Sequence, residues 1–225
     1  MMRLLVAFVL SALLFPAPAF AKHHHKTVPN GKAVRRVMVV RYWPPVRNFT
    51  TVVIDAGHGG YDNGGIFGQR IPEKPYTLDL AFRLRAILRA DGFNVVMTRV
   101  NDTFIPLPER VRIANAQHNA VFVSIHFNSS IIPTGHGFET YYYAPNAGQL
   151  AARIQSHLMR VLPVTENRGV KFRGYYVLRK TAIPSVLAEC GFLTNADEAR
   201  LIQQPGFRQR LAQVIAQAIV EQRGS

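Results

Sequence analysis

The stretch AVFVSIH, residues 120–126, is apolar on both alternating faces until Ser124 and His126. A strand with water on one side alternates apolar and polar residues, whereas a strand covered on both sides by helices does not need to. This segment therefore reads as an interior strand of a parallel sheet. Working outward, TVVIDA (51–56) has the same character, and FNVVMTR (93–99), GFETYYYA (137–144), YYVLR (175–179) and PSVLAE (184–189) read as further strands. Helical spacing fills the gaps. Residues 73–90 place Leu80, Leu84, Ile87 and Leu88 on one side, with Arg83, Arg85 and Arg89 away from it, and Asp91-Gly92 stops that helix. Pro108 opens a second helix over 108–117, and residues 148–162 align Leu150, Ile154, Leu158 and Val161. Two closing helices follow, the last with Leu211, Val214, Ile215, Ala218 and Ile219 on one stripe. Alternating strands and helices predict an α/β layered domain around a largely parallel or mixed sheet.

The N-terminus reads differently. A basic start ending at Arg3 precedes an apolar run from Leu4 to Leu14, then Pro16, Pro18 and Ala19-Phe20-Ala21. That order is expected of a secretory signal peptide, cleaved after Ala21, and so of an exported protein in the periplasm or at the cell wall. Residues 22–48 form a basic leader with Lys22, Lys26, Lys32, Arg35, Arg36, Arg41 and Arg47, and no acidic residue precedes Asp55. With a formal net charge of +14 for the chain, such an arm suits an anionic wall polymer or membrane surface, with no specific nucleic acid implied. Residues 33–43 contain an apolar stretch that could add an edge strand. The His23-His24-His25 run could bind metal loosely and is expected to have no role as a site. The compact domain is expected over residues 49–225, as a monomer. Cys190 is the single cysteine, so no intrachain disulfide can form and the thiol reads as buried and inert.

Chemistry-bearing residues gather at strand ends, where ligands collect in open α/β sheets. The first strand leads into Asp55 and then GHGG (57–60), the strand at 120 ends in His126, and the strand at 184 ends in Glu189. Glu73 stands at the start of the first long helix. Two imidazoles and one carboxylate form a common catalytic zinc set, with the fourth position open. A second, unligated carboxylate then serves as general base and returns the proton to a leaving nitrogen. These residue types leave open whether Glu73 or Glu189 is the ligand. His118, His136 and His157 read as structural.

With these positions assembled, the chain resembles the zinc-dependent N-acetylmuramoyl-L-alanine amidases of bacterial cell-wall remodelling, type 3. The motifs that carry the likeness are VVIDAGHGGYDNGG, PEKPYTLDLAFRL, GFNVVMTR, RVRIANAQ, VFVSIHFN and RGVKFRGYYVLRKTAIPSVLAECGFLTNADEARLI, spanning roughly residues 51–220. The resemblance implies a twisted six-stranded sheet flanked by helices, phosphorylase/hydrolase-like. It implies zinc at His58, Glu73 and His126, with Glu189 as the catalytic glutamate. It also implies cleavage of the amide between N-acetylmuramic acid and L-alanine in peptidoglycan. Many relatives carry proline where Ala56 stands. Division-regulated relatives carry a zinc-plugging helical insertion after the second histidine, for which the short segment between His126 and Gly148 leaves no room. A zinc carboxypeptidase or deacetylase would use the same metal chemistry on another amide.

Overall fold

A computed structural model describes residues 44–65, 69 and 71–225. The expected signal peptide, the histidine run and the edge strand at 33–43 lie outside the described residues. The described part holds six strands in one sheet: β1 (Thr51–Ala56), β2 (Asn94–Met97), β3 (Ala120–Asn128), β4 (Phe138–Tyr142), β5 (Asn167–Phe172) and β6 (Ser185–Phe192). The helices are α1 (Lys74–Ala90), α2 (Leu107–Asn115), α3 (Gly148–Leu158), α4 (Tyr176–Lys180), α5 (Ala196–Gln203) and α6 (Pro205–Arg223). The strand order is β2-β1-β3-β6-β4-β5. Neighbours run parallel except β4 against β6, which is antiparallel.

Strand parity divides the core in two. Val52 and Ile54 of β1, Val121, Val123 and Ile125 of β3, and Val186 and Ala188 of β6 face α1, α3 and α6. There they meet Leu80, Leu84 and Leu88, Leu150 and Ile154, and Leu211, Ile215 and Ile219 in the larger cluster. The other parity, Val53, Phe122, Leu187 and Tyr141, packs under α2 and α4 through Val111, Ala114, Val177 and Leu178. This second cover is thin, for α2 and α4 have only nine and five residues. Continuing the same parity toward the carboxyl ends of the strands gives Asp55, Ser124, His126 and Glu189. The sheet face thus turns polar where its helical cover is short, and a cleft of about 620 Å³ lies there.

One prediction misplaced an element. YYVLR at 175–179 reads as a strand, but residues 176–180 form α4, and the fifth strand in chain order is NRGVKF, residues 167–172. Val177 and Leu178 are adjacent and both buried, which a helix turn permits and a period of two does not. β5 is an edge strand whose residues are all exposed or half-buried, so it has little of the apolar signal by which a strand is read. The segment between β3 and β4 holds no helix, in line with the absence of a plugging insertion.

Candidate metal centre

α1 begins where it does because Pro75 suits a first turn, lacking the N–H that a helix start leaves unpaired. Glu73 is its N-terminal flanking residue, and its side chain makes no capping hydrogen bond. Instead the carboxylate points into the cleft, where it is almost fully buried. Oε2 lies 3.0 Å from His58 Nε2, and Oε1 lies 3.0 Å from His126 Nδ1. The backbone N–H of Phe127 also donates to Oε1, at 2.8 Å. The two imidazole rings stand nearly perpendicular, with centroids 4.8 Å apart. One ligand atom from each of His58, Glu73 and His126 lies within 4.8 Å of the other two. Two ring nitrogens and a carboxylate gathered this closely are the donor types of a tetrahedral zinc set, whose ligands at about 2.0–2.1 Å stand about 3.3 Å apart, so a small closing movement would seat the ion.

The backbone is shaped to bring them together. His58 itself has a φ of +60°, a left-handed conformation that costs a non-glycine residue energy and that surrounding structure must enforce. Arg110 does part of this: it donates to Ala56 O and His58 O, both at 2.8 Å, and pairs with buried Asp55 at 2.7 Å. Arg99 does the rest, donating to Ala56 O at 2.9 Å and Gly57 O at 2.7 Å. A Cβ on Gly57 would stand 2.3 Å from His126 Cε1, and one on Gly64 would stand 2.5 Å from Glu73 Oε2. Only glycine leaves room for the imidazole and the carboxylate there.

Two carboxylates in the cleft have opposite environments. Burial opposes charge on Glu73, but hydrogen bonds and the charges of His126 and His58 overcome it and hold the carboxyl well below its usual range. Burial would likewise lower the His126 imidazole, yet Glu73, with help from Glu189 and Asp55, carries it up to about 9. Glu189 is the reverse case. It is the direct parallel-strand neighbour of His126. Burial raises its carboxyl well above the carboxylate range, with Glu73 and Glu139 adding to the rise and His126 opposing it. Its Oε2 is shielded from solvent and has no hydrogen-bond partner. Buried polar atoms rarely stay unpaired, so this oxygen is available to a ligand. Asp55, by contrast, is consumed by structure: Thr98, Ser124 and Arg110 all donate to it at 2.7 Å. Burial works against its charge, and Arg110 with the two hydroxyls lowers its pKa.

All four sequence candidates meet in this cleft. Sequence reasoning missed Asp62, whose Oδ2 lies 2.9 Å from His58 Nδ1 and so fixes which ring nitrogen faces Glu73. It also missed Glu139, which sits opposite Glu189 in the antiparallel register and is held by Asn128, Tyr141, Arg168 and Lys171. The motif GHGGYD did contain an acid four residues after the histidine, and that was the available signal for Asp62. Of the histidines read as structural, His157 pairs with Glu221 at 2.9 Å and His136 Nδ1 contacts Thr134 O at 2.8 Å, and neither lines the cleft. Cys190 is buried, as expected, and burial raises its thiol pKa.

Residues 52–221 match the family profile described as N-acetylmuramoyl-L-alanine amidase. The chain belongs to this family. Among its curated relatives, LytC of Bacillus subtilis, an N-acetylmuramoyl-L-alanine amidase, is 41% identical over 169 residues, covering 73% of this chain and 34% of LytC. The uncharacterized protein YqiI of the same species is 40% identical over 173 residues, covering 75% of this chain and 82% of YqiI. The chain thus spans about a third of LytC and most of YqiI. Among solved structures, the catalytic domain of the amidase CwlV from Bacillus (Paenibacillus) polymyxa superposes with a TM-score of 0.72 at 38% identity, covering 77% of this chain and 97% of that one. An amidase from Clostridium difficile 630 gives 0.72 at 34% identity, covering 77% and 96%. The family expected from the motifs is the family found, and its members share the α/β fold.

Proposed function

We propose that the domain at residues 49–225 hydrolyses the amide between the lactyl group of N-acetylmuramic acid and L-alanine in peptidoglycan. His58 Nε2, Glu73 and His126 Nδ1 would hold one zinc ion, and the donor set described above fits it. When bound, zinc supplies a Lewis acid that polarises the amide carbonyl and makes water a nucleophile near neutral pH. The observation that carries the reading is the unpaired carboxylate oxygen of Glu189 beside that cluster. Burial raises its pKa in the metal-free protein, and the charge of a bound zinc would favour the carboxylate form that accepts the proton. Glu189 accepts the proton of the attacking water and delivers it to the alanine nitrogen as the C–N bond breaks. The muramic carboxylate and the peptide amine are the products. Asp62 holds the His58 ring in its ligating tautomer. Arg99 and Arg110 keep the loop carbonyls turned away from the reacting atoms.

The family and its wall-acting relatives favour cell-wall remodelling, cell separation or wall recycling as the setting, reached by export to the periplasm or the wall. Residues 22–48 would attach the enzyme to an anionic wall or membrane surface. Deleting them is expected to reduce binding to isolated sacculi at low salt, and unchanged binding at low and high salt rejects that role. The catalytic reading is tested by digesting sacculi with zinc-loaded protein and weighing the products. Intact stem peptides with a free alanine N-terminus are expected, and a chelator should stop their release. Single amino acids would indicate a carboxypeptidase, and acetate a deacetylase. Either product overturns the proposal.

A further inference from the structure

The cleft is large enough for the scissile amide and its immediate neighbours, but a glycan strand must run on beyond it. One rim feature has no part in the metal chemistry. Tyr61 is 79% exposed, and its ring lies 4.3 Å from that of Phe104, tilted by 30°. Phe104 lines the cleft, so Tyr61 carries an aromatic wall outward from it. A tyrosine so exposed on a loose loop would be unremarkable, but the turn that bears it is pinned. Gly59 and Asp62 exchange backbone hydrogen bonds at 3.0 and 3.2 Å. Gly60 N donates to Asp102 at 2.8 Å, and Lys74 bridges Asp102 and Gly60 O. A Cβ on Gly60 would stand 2.7 Å from Phe104 N. The backbone that carries the ring is therefore held in place, and the ring itself rests on Phe104.

Charge says which part of a wall substrate belongs there. The acids that pin the Tyr61 turn are matched in place, Asp102 by Lys74 and Asp62 by His58, so the turn presents its aromatic ring rather than a free charge. The cleft lining also includes Tyr175 and Tyr176, which belong to a segment carrying Arg173, Arg179 and Lys180 and no acidic residue, Lys171 being already paired with Glu139. That cationic segment suits the carboxylate-bearing stem peptide. The aromatic pair suits the other half of the substrate, whose pyranose rings offer apolar C–H faces.

We propose that Tyr61 and Phe104 form a carbohydrate-stacking subsite that holds the glycan strand. This assignment rests on the amide-hydrolase reading for what enters the cleft. The test is calorimetric binding of a neutral β-1,4-linked N-acetylglucosamine tetrasaccharide, which offers the pyranose faces of the glycan without lactyl carboxylates, to the zinc-loaded full chain. Tyr61→Ala should weaken Kd by about tenfold, the upper end of what an aromatic face contributes. Tyr61→Phe should bind like the parent, and Phe104→Ala should follow Tyr61→Ala. Val164→Ala is the control, since Val164 is 90% exposed and is not part of the cleft lining. A tetrasaccharide that fails to bind the parent, or binds Tyr61→Ala unchanged, overturns the subsite. Because this readout needs no turnover, the two readings separate. Glycan binding that follows this pattern without stem-peptide release leaves the subsite standing and the hydrolase reading fallen. Stem-peptide release with glycan binding indifferent to Tyr61 does the opposite.

Discussion

Asp62→Asn probes the centre without touching a ligand. Asp62 Oδ2 lies 2.9 Å from His58 Nδ1. A hydrogen bond to a charged group contributes about 1.5–3 kcal/mol. The Asp62 side chain is 38% exposed, so solvent screening puts this one at the lower end, about 1.5 kcal/mol. That corresponds to roughly tenfold in zinc affinity, at the low edge of the range for residues that orient a ligating histidine. Asparagine keeps the shape but loses the charge, and its amide can donate to the ring and favour the wrong tautomer. Zinc affinity is measured by competition with a chromophoric chelator, and turnover is measured with zinc in excess. Weaker zinc binding with turnover restored at saturating metal is expected. Asp62 Oδ1 also accepts from Gly64 N at 3.0 Å, so thermal unfolding of both metal-free proteins checks that the loop survives. Zinc affinity unchanged within about twofold, in a variant that melts like the parent, refutes the orienting role.

Glu189→Gln is expected to abolish peptide release while retaining zinc, since an amide cannot accept the proton. Loss of zinc in that variant, read by metal analysis, would make Glu189 a ligand. His126→Ala is expected to lower both metal content and rate. In the metal-free protein His126 is protonated up to about pH 9, so zinc must displace a proton. Apparent zinc affinity should therefore rise about tenfold per pH unit between pH 6 and 8, and a flat profile in chelator competition refutes this. The raised His126 pKa also means that its pairing with Glu73 stabilises the metal-free fold fully below the unfolded pKa of about 6.5. That stability is lost as pH rises through about 9, so metal-free protein should melt lower at pH 10 than at pH 7 by more than the zinc-loaded form. Leu84→Ala removes a side chain with no exposure in the larger core and should cost about 2–5 kcal/mol in chemical denaturation.

The positions proposed as ligands were legible because each lies at the end of an apolar run or the start of a helix. Such places keep their meaning without knowledge of the neighbours. His126 and Glu189 close two interior strands, and the parallel register then puts them side by side. Residue types and positions left the roles of Glu73 and Glu189 open, and only the family resemblance assigned them, because the roles depend on what surrounds each carboxyl. One is bracketed by two imidazoles and the other is left unpaired. Arg99 and Arg110 were unreadable for a related reason. Arg110 lies on a helix whose pattern suggests an exposed cation, yet it is buried against backbone carbonyls that another loop supplies. The exchange of α4 and β5 has a simpler origin, since an edge strand need not be apolar and a five-residue helix has too little length to show a period.

The three strands that bear the centre are the middle of the sheet, and each parallel pairing among them requires the intervening chain to have crossed over. His58 and Glu189 are therefore strangers until β1, β3 and β6 have zipped together. On the proposed route of export, a chain kept extended during translocation would possess every needed side chain and no assembled site. Assembly of the cluster would then coincide with completion of the fold.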